Sequence, residues 1–534
     1  MAQRHDSVRR GRGDVKTPLK PIRRARGLGT IQRRRSAFLS MGFGYTTLFV
    51  ALARNILFVP IYLRTIPLAE YGAWLASGGA LALILINDYG LSGVVTQRIS
   101  TDFGAGQFDR LGGLAGSAIA IGAVSSLLLT LISLALVPYL PGLDGLSPIQ
   151  AVTVVACFKI SIAANALGVI GATAISVIRS MQSAALAGSI VLGADIANIA
   201  VTLYGLFAGA GLYAIALGLL ARSLIVTLAS LSGVWVLCAR ELGTRLTVVR
   251  SVVRNLLGES SRFFLSAIAM KLQAQANVFF VGASLGPTSA AVFGLTVRAH
   301  ETVLMLIAQI NGALIPSITH LFGSGDRDRF RTVLLRVLVL IGTLAAFTLT
   351  LTAVLNAGFI RLWVGQYAFG GQSVSVLMAA ALFVSSISYV AYDGLLAQGK
   401  FRVISRSFLA TSLLQVFLLS AFTHWGLWFA PLTTLITASI WGSIFWNSII
   451  VEHGVNSAEI RHLAKEFARI ILFSVAAATA LMTLYPIANS WFTLVIEGLF
   501  SSVCLAAGYL VISPAIRVIA AEEIRTTLNL FRAA

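Results

Sequence analysis

Nine ionisable side chains within otherwise apolar stretches stand out as candidates: Arg54, Asp88, Lys159, Asp195, Arg222, Lys271, Arg298, Glu301 and Asp393. At the centre of a bilayer each costs about 2.5–3.5 kcal/mol on insertion scales, so such groups face a partner or a water-filled cavity. Their signs divide the chemistry. The cations Arg54, Lys271, Arg298, Lys159 and Arg222 are candidates to hold an anionic headgroup in mid-membrane, where little else can replace its water. The carboxylates Asp88, Asp393, Asp195 and Glu301 are candidates for coupling or gating, because a buried carboxyl is readily protonated. Structural readings stand beside these. Arg298 and Glu301 are three residues apart on one helix and can pair. Lys159 or Arg222 can pair with Asp195 between neighbouring helices, and Asp88 and Asp393 can bond to helix ends. Arg54 and Lys271 have no acid one helical turn away.

The elements that carry these residues must be membrane spans. The 534 residues are 57% hydrophobic and 11% charged, with a mean hydropathy of +0.86, which excludes a soluble globular protein. A spanning helix needs about 20 mainly apolar residues. Stretches of that length occur at about 38–63, 70–96, 111–137, 148–178, 183–207, 211–238, 260–284, 289–319, 332–355, 373–397, 403–423, 428–450, 466–488 and 490–513. The net charge of +20 resembles a nucleic-acid signal until its residues are placed. Of the 40 Lys and Arg, 33 lie in the N-terminal tail, in alternate loops or at the span ends adjoining them; Arg64 and Arg361 alone fall in the opposite loops. That asymmetry predicts fourteen spans with both termini cytoplasmic.

The pattern also repeats. Tyr71-Gly72 opens an apolar run with a polar notch at Asn87-Asp88 and the exit Phe103-Gly104-Ala105-Gly106-Gln107-Phe108-Asp109-Arg110. Phe293-Gly294 opens a second run, with a notch at Gln309 and Asn311 and the exit Phe322-Gly323-Ser324-Gly325-Asp326-Arg327-Asp328-Arg329. Repeats of this kind build many secondary transporters. Arg54 and Lys271 occupy matching places in the first span of each half, where two cations across a pseudo-twofold axis would form an anion site.

The expected organisation is all-α: a disordered basic tail over 1–36, a six-helix lobe over 37–239, an amphipathic linker helix over 240–258, a second six-helix lobe over 259–450, two further spans over 451–513 and an amphipathic tail over 514–534. The tail lacks the apolar core of a secretory signal and reads as a contact for anionic lipids. In the linker, Leu242, Leu246, Val249, Val253 and Leu256 share a helical face, with Arg240, Arg250 and Arg254 elsewhere. Beside Lys271, the spacing of Gln273, Gln275 and Asn277 sets Gln275 on the lysine's face and the other two roughly opposite, which predicts one cavity face and one helix-joining face. In the loop after the ninth span, Trp363, Tyr367 and Phe369 read as an aromatic belt.

No catalytic constellation, Walker loop or metal-ligand spacing occurs, so an enzyme is not expected, nor a cofactor, metal or nucleic-acid partner. Cys157, Cys238 and Cys504 read as packing residues.

The run LAEYGAWLASGGALALILINDYGLSGVVTQRIS, the charged glycine turn after it and the outer LWVG resemble polysaccharide transporters of the multidrug/oligosaccharidyl-lipid/polysaccharide (MOP) exporter superfamily, over about 37–510. The branch resembled flips lipid-linked oligosaccharides, O-antigen flippases included. The resemblance implies two six-helix lobes in a V around a central cavity, two added C-terminal helices, a bacterial inner membrane, and alternating access on a polyprenyl-pyrophosphate-linked glycan. It also implies polymerase and glycosyltransferase partners, and a cationic cavity at Arg54 and Lys271, less firmly at Arg298. The long basic tail departs from that pattern. Two alternatives are an ion-coupled multidrug exporter of the same superfamily, which would favour a carboxylate-rich cavity, and a non-transporting scaffold of an exopolysaccharide machine.

The charge asymmetry makes a direct prediction. In a cysteine-free background, single cysteines at Gly142, Ser284, Gly370 and Asn489 should react with an impermeant maleimide on intact cells, and those at Gly106, Gly325 and Gly454 should not. Labelling of the second set would refute the fourteen-span topology.

Overall fold

Lipid offers no partner to backbone amides, so an open chain can cross it only as helix, which bonds each N–H within its own segment. The computed structural model describes residues 30–84, 91–139, 146–323, 327–453, 455–485 and 487–518. It consists of α1 (Thr30–Thr65), α2 (Leu68–Ile84), α3 (Leu91–Gly104), α4 (Phe108–Leu136), α5 (Pro148–Ser180), α6 (Ala184–Phe207), α7 (Leu212–Trp235), α8 (Arg250–Leu285), α9 (Pro287–Gly323), α10 (Arg327–Trp363), α11 (Gln372–Ala397), α12 (Phe401–Phe422), α13 (Phe429–His453), α14 (Ser457–Leu484) and α15 (Trp491–Ile512). Among the described residues, twelve stretches are long and apolar enough to cross a bilayer. The two other expected spans correspond to α2 with α3, and to α8.

Several boundaries differ from expectation. α1 starts at Thr30, so part of the expected tail is helical; residues 1–29, and 519–534 at the other end, lie outside the described residues. The second span is two helices on either side of 85–90, which places Asn87 and Asp88 outside the described residues as well. α5 follows its sequence closely: Ser147 and Gln150 form a reciprocal capping box with Pro148 at the first helical position.

The repeat is structural. α1 packs on α6 as α8 packs on α12, α5 on α7 as α11 on α13, and α4 on α5 as α10 on α11. The first glycine exit joins α3 to α4; of the second, Phe322-Gly323 ends α9 and Arg327 starts α10, with Ser324, Gly325 and Asp326 outside the described residues. Each is flanked by an edge-to-face ring pair, Phe103–Phe108 at 5.6 Å and Phe322–Phe330 at 5.4 Å. α14 and α15 lie against α10, around Ala346, Ile470, Leu505 and Tyr509.

The lobes meet where α2 crosses α9, near the charge-poor end that holds the α1–α2 and α8–α9 turns. A Cβ on Gly72 would overlap the Pro287 carbonyl, and Gly294 faces Leu75. The two aromatic-glycine pairs of the repeat therefore fall at the same crossing, one from each lobe. One cluster joins the lobes there, including Tyr71, Ala73, Ala291, Leu295 and Trp363. Trp363 is thus no belt residue: it is buried and its indole N–H donates to the Ile56 carbonyl at 2.6 Å, while Tyr367 is exposed. Among the described residues, two further buried clusters each lie mainly in one lobe; Ala76 of α2 joins the second-lobe cluster, and α8 enters both, with Leu256 in one and Ala269 in the other. The lobes diverge from the crossing.

The linker is not a single helix. Gly243 adopts φ +68°, residues 243–249 run as an extended strap, and helix resumes at Arg250 as the start of α8. The cause lies in α4. Gly112 and Gly116 present bare backbone, on which the strap seats so closely that a Cβ at either would overlap the Arg245 or Thr247 carbonyl. Val249 N–H donates to the Ser117 hydroxyl at 3.0 Å, and Thr247 N–H to the Gly112 carbonyl at 3.4 Å. Tertiary contact overrides the amphipathic pattern.

Gly72→Val should force α2 away from α9. Overpacking of this kind costs about 1–3 kcal/mol, so the detergent-solubilised variant should melt several degrees lower. Ala substitution at the lipid-facing Leu472, which is 70% exposed, should not change melting.

Candidate functional site

α8 presents two faces. Gln273 donates to the Thr411 hydroxyl and Asn277 to the Thr434 hydroxyl, both at 2.8 Å, and Gln415 donates to Asn277 Oδ1 at 3.1 Å. Ser412 adds a bond to the Ala269 carbonyl at 2.8 Å. These amides join α8 to α12 and α13. Lys271 projects from the opposite face and is exposed, with Gln275 half-buried one turn on. The helix-joining face predicted by spacing is present, with Lys271 on the other side of the helix.

Arg54 sits at the matching place on α1 but in a different setting. With the Asn198 amide oriented so that its nitrogen meets the Gly218 carbonyl and the Thr202 hydroxyl, its oxygen accepts from Arg54 Nη1 at 2.7 Å. Asn198 of α6 and Gln415 of α12 are themselves repeat mates. In one lobe the α6 amide holds the cation; in the other the α12 amide is engaged by α8 amides, which leaves Lys271 open. Arg54 is half-buried.

The remaining candidates separate. Arg222 Nε donates to Asp195 Oδ1 at 2.6 Å between α7 and α6, so these two form an ion pair. Lys159 is exposed on α5 and takes no part in that pair. Arg298 lies against the Tyr71 hydroxyl across the lobe crossing, and its Nε has no hydrogen-bond partner among the described residues. No ion pair within 4 Å joins it to Glu301, which is exposed on α9. Asp393 is buried within the second lobe, beside Tyr389 and Tyr392. Those rings continue into a cluster with Phe408, Trp441 and Phe445 at centroid separations of 5.1–6.4 Å.

Two buried carboxylates escaped sequence reasoning. Glu466 on α14 accepts from Arg469 at 3.0 Å and from Ser513 at 2.9 Å, a structural role. Glu497 on α15 is 8% exposed and lines a cavity. Its position six residues inside an apolar span was the available signal. Cys157 and Cys238 are buried, as packing residues would be, while Cys504 is exposed on α15.

The arrangement defines a class. The lipid II flippase MurJ in an inward closed conformation superposes with a TM-score of 0.64 at 15% identity, over 89% of this chain and 99% of that one. An inward-facing multidrug resistance transporter of the MATE family of the MOP superfamily gives 0.59 at 15% identity, over 76% and 98%. A MOP superfamily transporter from Pyrococcus furiosus gives 0.57 at 14% identity, over 79% and 95%. The chain has the MOP transporter fold. Within it, residues 114–367, from α4 to just past the end of α10, match the family described as polysaccharide biosynthesis protein. No curated protein matches the sequence.

Breaking the Arg222–Asp195 pair leaves a mostly buried charge alone, at a cost of roughly 1–3 kcal/mol. Arg222→Ala and Asp195→Ala should each lower the amount of folded protein in the membrane. The exchange Asp195→Arg with Arg222→Asp should recover much of it by size-exclusion fluorescence. Lower recovery than in either single variant would mean that the two act separately.

Proposed function

We propose that this protein is a flippase that moves polyprenyl-pyrophosphate-linked oligosaccharide across the bacterial inner membrane by alternating access. The observation that carries this reading is the open cationic face of α8: Lys271 exposed and Gln275 beside it, with the opposite amides committed to packing. A bilayer stops such a substrate because desolvating a pyrophosphate and a sugar chain is prohibitive. A fixed cation at mid-depth offsets part of that cost, and the match of residues 114–367 to a polysaccharide biosynthesis family agrees with a glycan cargo.

The two cations divide the task. Lys271 acts as a mobile point charge on the pyrophosphate, and Arg54, steadied by Asn198, offers its remaining donors in a planar fork. Arg298 and Glu301 stand close to the lobe crossing, where they respond to opening of the charge-poor end. The charge-rich end is assigned to the cytoplasm, and the lobes, joined at the other end, are in the inward-open phase of the cycle. Asp393, outside the cleft and walled by aromatics, is the carboxylate kept for coupling. A multidrug exporter fits less well, since the exposed face of α8 is cationic.

Lys271→Glu should abolish glycan export, a fall of at least tenfold, at wild-type levels of membrane protein; Lys271→Arg should retain part of it. Wild-type export by Lys271→Glu would refute the anion site. The same assay at two external pH values reads Asp393→Asn, which should flatten the pH dependence if that carboxylate couples transport.

A further inference from the structure

We propose that the cavity between α10 and the α14–α15 pair seats the ammonium headgroup of an aminophospholipid on the Glu497 carboxylate. The cavity has a volume of about 250 Å³ and opens near the charge-poor end. Its walls are mostly apolar, with Val354, Leu355 and Gly358 from α10, Met482 from α14 and Leu494 from α15. Glu497 is the one charged residue among its described wall residues and is only 8% exposed. Among the described residues no donor reaches its carboxylate. The nearby hydroxyls are engaged elsewhere: Tyr485 donates to the main-chain carbonyl of Glu497 at 3.4 Å, and Ser501 donates to the Tyr485 hydroxyl at 3.1 Å. Gln372, also in the wall, gives its amide N–H to the Ala353 carbonyl at 2.8 Å.

A carboxylate this isolated must take up a proton or a cation. A bare metal ion suits the site poorly, since calcium takes six to eight oxygens and magnesium an octahedron. Apart from the carboxylate, the wall offers few oxygens. An ammonium group is satisfied by one carboxylate and a few acceptors, and its methylenes tolerate apolar walls. Access favours a lipid over a dissolved amine. Glu497 lies six residues, about 9 Å of helix, below the start of α15. Its neighbours Phe492, Val495, Ile496 and Leu499 are all exposed on that helix, as a lipid-facing surface would be. A phosphoethanolamine group entering from that side leaves its own phosphate towards the membrane surface. It would fasten α14–α15 to α10 through a molecule of the bilayer.

The test uses the full chain in nanodiscs and does not depend on what the protein transports. Native mass spectrometry would count retained phosphatidylethanolamine, phosphatidylcholine and phosphatidylglycerol from equimolar mixtures. The wild type should retain phosphatidylethanolamine at least about tenfold over phosphatidylcholine, the scale of one charge-assisted hydrogen bond. Glu497→Gln should bring the ratio near one. Ala357→Leu, which narrows the cavity and leaves the carboxylate in place, should lower it too. Monodispersity in phosphatidylglycerol alone establishes that each variant is folded. Equal retention of both lipids by the wild type would mean a protonated Glu497 and an unselective cavity, and would overturn the proposal. So would an unchanged ratio in folded Glu497→Gln.

Discussion

The crossing of α2 over α9 constrains everything else in this molecule. Two helices can approach so closely only if one offers bare backbone, and Gly72 does so against the Pro287 carbonyl. Without competing water, helix association in a membrane relies on contact of this kind rather than on the hydrophobic effect. Around the crossing, Trp363 donates to the Ile56 carbonyl and Arg298 reaches Tyr71, so polar contacts also span the lobes there. Because this joint lies at one end, the lobes are free to part at the other. A hinge of small residues and a diverging pair of rigid bundles suit alternating access.

α8 turns that geometry into chemistry. It begins beneath the first lobe, with Leu256 among the residues of α3, α4 and α5, and ends within the second. Its amides at 273 and 277 fix its rotation against α12 and α13, which orients Lys271 away from them. The repeat explains why the two cations differ: an amide on the fifth span of each lobe stands at the same place, but in the first lobe it binds Arg54, and in the second it binds neighbours on α8. One cation is braced and the other open, an asymmetry suited to a site that must also release its ligand.

Much of the fold was legible in the sequence because the bilayer leaves few options. Apolar runs of span length and the repeat of the chain each reflect one physical demand, and the long helices and the matching helix contacts of the two lobes are their counterparts in the structure. The two faces of α8 were legible from helical spacing. What escaped was tertiary in origin. The strap over 243–249 has an amphipathic helical pattern, but Gly112 and Gly116 on a distant helix capture it in extended form. Trp363 looks like a belt residue until the other lobe supplies the Ile56 carbonyl. Pairing of Arg222 with Asp195 rather than Lys159 depends on which faces of α6 and α7 meet, which one chain's spacing does not encode. Glu497 gives only a weak signal in the sequence, because a single acid near a span end resembles a boundary residue.

Central to the proposed flippase is that the α8 face carrying Lys271 is the surface met by the headgroup. A photo-crosslinking residue at Gln275, on that face, in cells supplied with radiolabelled polyprenyl-pyrophosphate oligosaccharide measures this directly. The same residue at Leu472, on the outward side of α14, serves as the control. Capture of the labelled lipid at 275 and not at 472, reduced when Lys271 is replaced by Glu, is the result predicted. Equal capture at both positions, or capture at 275 that ignores the Lys271 charge, would contradict it.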